Sequence, residues 1–182
     1  MSRLVLALCI VVLIGCKQET QIYNQEAFWT QQEITELQSI VSSFDNALLA
    51  AYNTSSLSTA YNAYSQTTLE HLKNGSMLVV HPGMDVPIET MRVFHKIWAK
   101  YISDSLENAS INLNPYGIYF KYLKALPNSP TLVDSYINRF ELAGDLQPSF
   151  VFEFADQGTT LDYSNVNARL IFAVHYLTLF NR

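Results

Sequence analysis

Residues 170–180 read Leu-Ile-Phe-Ala-Val-His-Tyr-Leu-Thr-Leu-Phe, and this stretch decides the fold. It belongs to a predicted helix over residues 165–180 that is apolar on nearly every side. A helix of this length is too short to span a membrane, which takes about 20 residues. Because an apolar helix that cannot lie in lipid must be covered by protein, we expect it at the centre of a helical bundle.

The strongest periodic pattern lies further towards the N-terminus, in residues 27–52. Apolar residues there are spaced alternately by three and four positions: Ile34, Leu37, Val41, Phe44, Leu48 and Ala51. This spacing predicts an amphipathic helix. The polar residues 53–56 predict its end and the N-cap of a second helix over residues 57–74, after which Gly75 fits the left-handed C′ position. Two helices joined this closely form an antiparallel hairpin.

Three more helices are predicted between this hairpin and residue 144. They cover residues 87–106, 116–126 and 130–143, and the polar stretch 107–114 separates the first of them from the other two. Proline at the start of a helix supports two of these assignments, at Pro87 and Pro130. Gly144 is expected to end the third.

Two stretches give a weaker signal. Residues 77–83 are expected to form a buried extended connector that leads into a turn at Pro82-Gly83. In residues 149–155, Phe150, Phe152 and Phe154 alternate as in a strand, yet Phe150 and Phe154 also lie one helical turn apart. The helical surroundings favour a short helix here, with a strand as the alternative.

These elements predict an all-α fold for residues 26–182: a single compact bundle of six or seven helices, with helical hairpins in series as an alternative arrangement. Composition agrees, since 49% of residues are hydrophobic and only 15% are charged, against about 25% in an average soluble protein. Such a chain is not expected to be disordered. Its mild net charge of −5 gives no sign of nucleic-acid binding.

The first 16 residues carry a different kind of signal. Arg3 is followed by an unbroken apolar run from Leu4 to Ile14, and then by Gly15-Cys16. The run is too short to span a bilayer but fits the apolar core of a secretory signal, which has about 7–15 residues. The sequence Leu-Ile-Gly-Cys at residues 13–16 resembles the lipobox of bacterial lipoprotein signal peptides.

The resemblance implies how the N-terminus is processed. Residues 1–15 would be a signal peptide cleaved before Cys16, and Cys16 would carry a thioether-linked diacylglycerol and commonly a further acyl chain on its amino group. Two or more chains anchor a protein stably, whereas one chain does not. An ordinary secreted protein, in which Cys16 merely lies near the cleavage site, is the alternative.

Lipidation has consequences for the rest of the chain. The only other cysteine is Cys9, which would be lost with the signal peptide, so no free thiol would remain for a disulfide, a metal site or a nucleophile. Residues 16–25 are mostly polar and would form a short flexible tether. In the lipoprotein class, a residue other than Asp after the cysteine, here Lys17, favours the outer membrane. Whether the protein faces the periplasm or the cell surface stays open.

No motif in the sequence supports catalysis. None of the four histidines, His71, His81, His95 and His175, has the Glu three positions earlier that helical di-metal sites use. Nucleophile-elbow and glycine-rich phosphate motifs are absent as well. Single histidines on apolar helices are mostly structural, so we expect neither a metal nor a cofactor. A small envelope enzyme or metal-binding protein that uses His95 and His175 is the alternative.

The most regular polar pattern is a basic ladder of Arg92, Lys96 and Lys100, spaced by four residues on the predicted helix 87–106. No Lys or Arg occurs between Lys17 and Lys73, so basic and acidic residues are segregated along the chain. The ladder either faces solvent and pairs with the acidic face of the first helix, where exposed pairs contribute about 0–1 kcal/mol, or contacts anionic lipid or an acidic partner.

The tyrosines Tyr116, Tyr119, Tyr122 and Tyr136 suit either the core or a contact surface, and the core is favoured. Taken together, the sequence predicts a non-catalytic, membrane-anchored lipoprotein that binds an unidentified protein or small molecule at the cell envelope. An immunity or inhibitor-type lipoprotein is a further alternative, which a large exposed aromatic patch would indicate.

Overall fold

The computed structural model describes residues 20–76, 81–101 and 110–182. This part of the chain forms seven α-helices, two short 3-10 helices and one two-stranded sheet. The helices are α1 (Gln31–Ala51), α2 (Leu57–Lys73), α3 (Phe94–Ile97), α4 (Tyr119–Ala125), α5 (Thr131–Ala143), α6 (Pro148–Gln157) and α7 (Val166–Phe180). The strands are β1 (Trp98–Tyr101) and β2 (Ser110–Leu113). The predicted all-α class is confirmed.

Three predictions fall outside the described residues. They concern the signal peptide of residues 1–15, the lipidated Cys16 and most of the apolar connector before Pro82, whose residues 77–80 are not described.

Helix α7 lies at the centre, as its sequence predicts. Every residue from Val166 to Thr178 is buried. Aromatic rings of α1 and α2 pack around Phe172, which lies with its ring centroid 5.8 Å from that of Phe44 and 4.9 Å from that of Tyr61. Such edge-to-face contacts add to the energy of apolar burial. None of the described helices is long and apolar enough to cross a membrane.

The predicted hairpin of the first two helices is confirmed, and each helix begins at a side-chain cap. Thr30 and Glu33 form a reciprocal capping box at the start of α1. The Ser56 hydroxyl caps α2 by accepting a hydrogen bond from the Thr59 amide. The apolar stripe of α1, including Leu37, Phe44 and Leu48, is buried. The two helices therefore cover one side of α7.

The single helix predicted over residues 87–106 is wrong for residues 87–101, the part of it that the structure describes. A 3-10 turn at Ile88–Thr90 and the four-residue α3 are followed by β1, which pairs antiparallel with β2. Residues 110–113, expected to be part of a polar separator, form this second strand. Trp98 pairs with Leu113, and both side chains are fully buried. Residues 98–101 form a strand because β2 supplies backbone hydrogen bonds to them. The pairing also brings Ile111 and Leu113 of β2 into the core.

The C-terminal half follows its predictions more closely. Helix α4 is shorter than the predicted 116–126, and α5 ends at Gly144, whose φ of 69° is left-handed as a C-cap glycine requires. The ambiguous stretch 149–155 lies within α6 and is helical. Helical spacing places Phe150 and Phe154 in the core, whereas Phe152 points outwards and is 38% exposed.

The predicted flexible tether requires correction. Residues 21–24, which we call the N-terminal strap, pack on the domain. Ile22 is 5% exposed, and the Tyr23 amide donates a 2.8 Å hydrogen bond to Oδ1 of Asn167 in α7. The Asn24 side chain bonds both backbone groups of Trp29. The domain therefore begins near residue 21, closer to Cys16 than the sequence predicts.

Gly117 lies against the backbone of Lys96, and this contact allows a test of how residues 93–97 pack. A Cβ at Gly117 would overlap the carbonyl oxygen of Lys96, one residue before the end of α3, and lie 3.0 Å from its carbonyl carbon. Because backbone atoms cannot move aside as a side chain can, we expect Gly117→Ala to destabilise the protein by about 1–3 kcal/mol.

Thermal unfolding followed by circular dichroism measures this effect. Gly117→Ala should lower Tm by several degrees, whereas Ser39→Ala on the exposed face of α1 should leave Tm nearly unchanged. An unchanged Tm for Gly117→Ala would show that the segment around Gly117 does not pack on residues 93–97.

Candidate functional site

The candidate site is an open cleft of about 570 Å³ at the end of α7, which we call the C-terminal cleft. Its apolar walls come from α2, α6, α7 and the loop after α5: Leu72, Leu146, Val151, Phe152, Leu179 and Phe180. The volume lies within the range of about 300–1,000 Å³ that small-molecule sites have. The cleft therefore has the size and the lining of a site for an apolar group.

Local sequence explains how α6 forms one wall. Pro148 occupies the first turn of the helix, where its missing N–H costs nothing, and it fixes the start of α6 at the cleft. Helical spacing then turns Phe150 and Phe154 inwards. Val151 and Phe152 are left to face the cleft.

The polar groups at the cleft already have partners. The guanidinium of Arg182 pairs with the Asp145 carboxylate, donates a 3.0 Å hydrogen bond to the Leu146 carbonyl and a 3.1 Å bond to Oδ1 of Asn112. The His81 ring lies 4.4 Å from the Phe180 ring, and its Nδ1 accepts a hydrogen bond from the Gly83 amide. Since the charge of Arg182 is compensated, the cleft favours an apolar ligand over an ionic one.

A second cleft, of about 380 Å³, lies at the opposite end of α7. Polar side chains make up much of its lining: the amides of Asn128, Asn165 and Asn167, the hydroxyl of Ser129 and the carboxylate of Asp162. Oδ1 of Asn167 accepts hydrogen bonds from the Tyr23 amide and the Tyr122 hydroxyl, both 2.8 Å long. Asn167 is thus occupied in holding the N-terminal strap and α4 on α7.

His175 is buried in an aromatic cage, as expected for a structural histidine. Its ring centroid is 3.9 Å from that of Phe154 and 5.9 Å from that of Tyr136, and neither ring nitrogen has a hydrogen-bond partner. Burial lowers the pKa of His175 to about 3, and the nearby positive charge of Arg182 acts in the same direction. The imidazole is therefore neutral.

The structure does not bring His95 and His175 together. His95 is exposed on α3, whereas rings of α5 and α6 enclose His175. Within the described ranges, no group of three or more His, Cys, Asp or Glu side chains could hold a metal ion. His71 and His81 are exposed.

The basic ladder does not lie on one helix face, because its residues belong to a turn, α3 and β1. Arg92 and Lys96 reach the acidic face of α1, at Glu36 (3.9 Å) and Glu33 (2.8 Å), while Lys100 pairs with Glu89. Partial burial would raise the pKa of Glu33, but hydrogen bonds from Lys96 and Thr30 outweigh it and lower that pKa.

The structure thus shows the pairing with the first helix for Arg92 and Lys96. Contact of the ladder with anionic lipid or an acidic partner stays a prediction.

The sequence interpretation missed a polar cluster inside the bundle. Arg169 of α7 is only 7% exposed and pairs with Asp45 of α1, which accepts a 2.7 Å hydrogen bond from the Tyr61 hydroxyl of α2. Burial raises the pKa of Asp45 even though Tyr61 and Arg169 oppose that shift. One signal was present, since Arg169 is the single charged residue of a mostly apolar helix.

Three of the four tyrosines singled out in the sequence lie in the core, which was the favoured interpretation, and the fourth is exposed. Tyr119, Tyr122 and Tyr136 are fully buried, while Tyr116 is 95% exposed. The other large apolar side chains exposed in the described ranges are Tyr101, Leu142 and Phe152.

Comparison with known proteins gives no match: no family model fits the sequence, and neither a curated protein nor a solved structure is significantly similar. The properties of the site therefore have to be judged from its own geometry.

His175 predicts how stability depends on pH. An unfolded chain protonates this histidine below about pH 6.5, whereas the folded protein keeps it neutral down to a pKa of about 3. Folding stability should therefore fall as pH decreases from about 6.5 towards 3, by about 1.4 kcal/mol per pH unit from this residue.

Urea unfolding at pH 7 and pH 5 measures the dependence. The natural protein should lose about 2 kcal/mol more stability between these pH values than His175→Phe does, since phenylalanine cannot take up a proton. The exposed His71→Gln variant should behave like the natural protein. Equal losses for the natural protein and His175→Phe would contradict the burial of a neutral imidazole.

Proposed function

We propose that the chain is a lipid-anchored protein of the bacterial envelope that binds an apolar ligand, and does not catalyse a reaction. The lipobox-like residues 13–16, after Arg3 and the apolar run, support the anchor on Cys16. Lys17 supports the outer membrane as the destination. The ligand is a small molecule or an apolar segment of a protein partner.

The C-terminal cleft is the observation that carries the proposed binding. It combines a volume of about 570 Å³ with apolar walls, and the one Lys or Arg among its described lining residues, Arg182, is already paired. Transfer of an apolar ligand from water to these walls would stabilise the complex by about 25 cal/mol per Å² of apolar area buried. An anion would have to displace the Asp145 carboxylate or share Arg182 with it.

The two other functions stay hypotheses. An enzyme or metal-binding protein based on His95 and His175 gains no support from their separate positions. An immunity or inhibitor-type lipoprotein would need a continuous aromatic surface, and the exposed Tyr101, Tyr116 and Phe152 lie in β1, in the turn before α4 and in α6.

The anchor can be tested by feeding labelled palmitate to bacteria that express the full chain. Label should enter the natural protein and the Cys9→Ser variant, because Cys9 lies in the segment that is removed. It should not enter Cys16→Ser, which lacks the acylated sulfur. Equal labelling of Cys16→Ser, or no labelling of the natural protein, would rule out lipidation at this position.

The cleft can be tested with the neutral apolar dye 1-N-phenylnaphthylamine and the protein from residue 20 onwards. Phe152→Glu should weaken dye binding about tenfold, because it removes an aromatic wall and adds a charge that binding would desolvate. Leu142→Glu is the matched control, since Leu142 is equally apolar, 89% exposed and outside the cleft.

Identical dye affinity of Phe152→Glu and Leu142→Glu would show that the dye binds elsewhere. No binding to the natural protein would remove the cleft as an apolar site.

A further inference from the structure

We propose that the N-terminal strap fixes the orientation of the domain on the membrane. The end of the bundle where α7 begins faces the lipid surface, and the C-terminal cleft opens away from it. This inference rests on the proposed lipid anchor at Cys16 and adds which surface the bilayer contacts.

The strap is attached at successive positions. Ile22 is buried, the backbone amide of Tyr23 is bonded to Asn167 near the first turn of α7, and the Asn24 side chain bonds Trp29 at 2.8 Å and 2.9 Å. Side-chain burial and main-chain hydrogen bonds act together here. The point at which the chain leaves the domain is therefore fixed beside the start of α7.

The chain between this point and the proposed anchor is short. Only five residues separate Cys16 from Ile22, so the two Cα atoms are at most about 20 Å apart even when fully extended. A folded domain of this length is about 40 Å across. The anchor can therefore reach only the half of the surface that surrounds the strap.

The second cleft lies in the half of the surface that surrounds the strap, and the C-terminal cleft lies in the other half. Asn167 lines the second cleft beside the strap, while Leu179 and Phe180 line the C-terminal cleft, about 18 Å further along the axis of α7. Helix α5 runs between the same two ends, because Pro130 lines the second cleft and Leu146, soon after its last turn, lines the other.

The surface at the strap end presents polar side chains around the second cleft. Its exposed residues include Gln21, Pro127, Asn128 and Asp162, and the lining of the second cleft contains no Lys or Arg among the described residues. The proposed orientation follows from the short connection to the anchor, so it calls for no anionic lipid. The orientation should therefore form on zwitterionic phosphatidylcholine vesicles.

Single-cysteine labelling tests the orientation, because the mature chain would carry no free thiol of its own. Asn128→Cys reports on the strap end and Leu142→Cys on the far end of α5; both positions are exposed. Each lipidated full-length variant is labelled with a fluorophore and reconstituted into phosphatidylcholine vesicles that contain a nitroxide-headgroup lipid. Flotation of the same samples reports anchoring independently of orientation.

We expect the label at Asn128→Cys to be quenched several-fold more than the label at Leu142→Cys. Equal quenching, or stronger quenching at Leu142→Cys, in protein that floats with the vesicles overturns the orientation and leaves the anchor intact. Protein that does not float overturns the anchor and the orientation together.

A longer tether tests whether the short connection causes the orientation. Insertion of about 12 Gly and Ser residues after residue 19 lets the anchor reach any side of the domain. Quenching at the two positions should then become similar. A difference that persists in the lengthened chain would contradict the role of the strap.

Discussion

The burial of α7 from Val166 to Thr178 is the constraint on which the rest of the structure depends. Because this helix is apolar all round, every neighbouring element has to present an apolar or aromatic face to it. A few polar side chains of α7 then fix particular neighbours. Asn167 forms hydrogen bonds with the strap and with α4, and Arg169 pairs with Asp45 of α1. Thr178 accepts a 2.8 Å hydrogen bond from Trp98 of β1. Each buried polar group is costly unless it is paired, so these contacts select one arrangement of the bundle.

His175 differs from these residues, since its ring nitrogens have no partner and its imidazole is kept neutral by burial, with the positive charge of Arg182 acting in the same direction. Other polar side chains hold elements together, at the strap and around Arg169. What remains at the far end of α7 is a cleft with apolar walls and a compensated cation. Our proposal that the protein binds an apolar group rests on this cleft.

Sequence periodicity predicted the helices whose buried faces are determined by the spacing of their own apolar residues. The spacing from Ile34 to Ala51 was sufficient for α1, and an all-apolar run was sufficient for the position of α7. It was not sufficient for residues 87–106, since Phe94 and Trp98 have helical spacing although Trp98 belongs to a strand. The deciding interaction there is pairing with Leu113, which lies far along the chain. The C-terminal cleft was unpredictable for the same reason, because its walls come from separate elements that periodicity describes one at a time.

Hydrogen–deuterium exchange of the backbone amides tests the central role of α7 most directly. If this helix is the axis on which strap, hairpin and sheet are assembled, amides of residues 170–178 open only when the whole protein unfolds, so they should be the slowest in the chain and give the global unfolding free energy. Exchange of these amides as fast as that of the exposed face of α2, while the protein stays folded, would contradict this role.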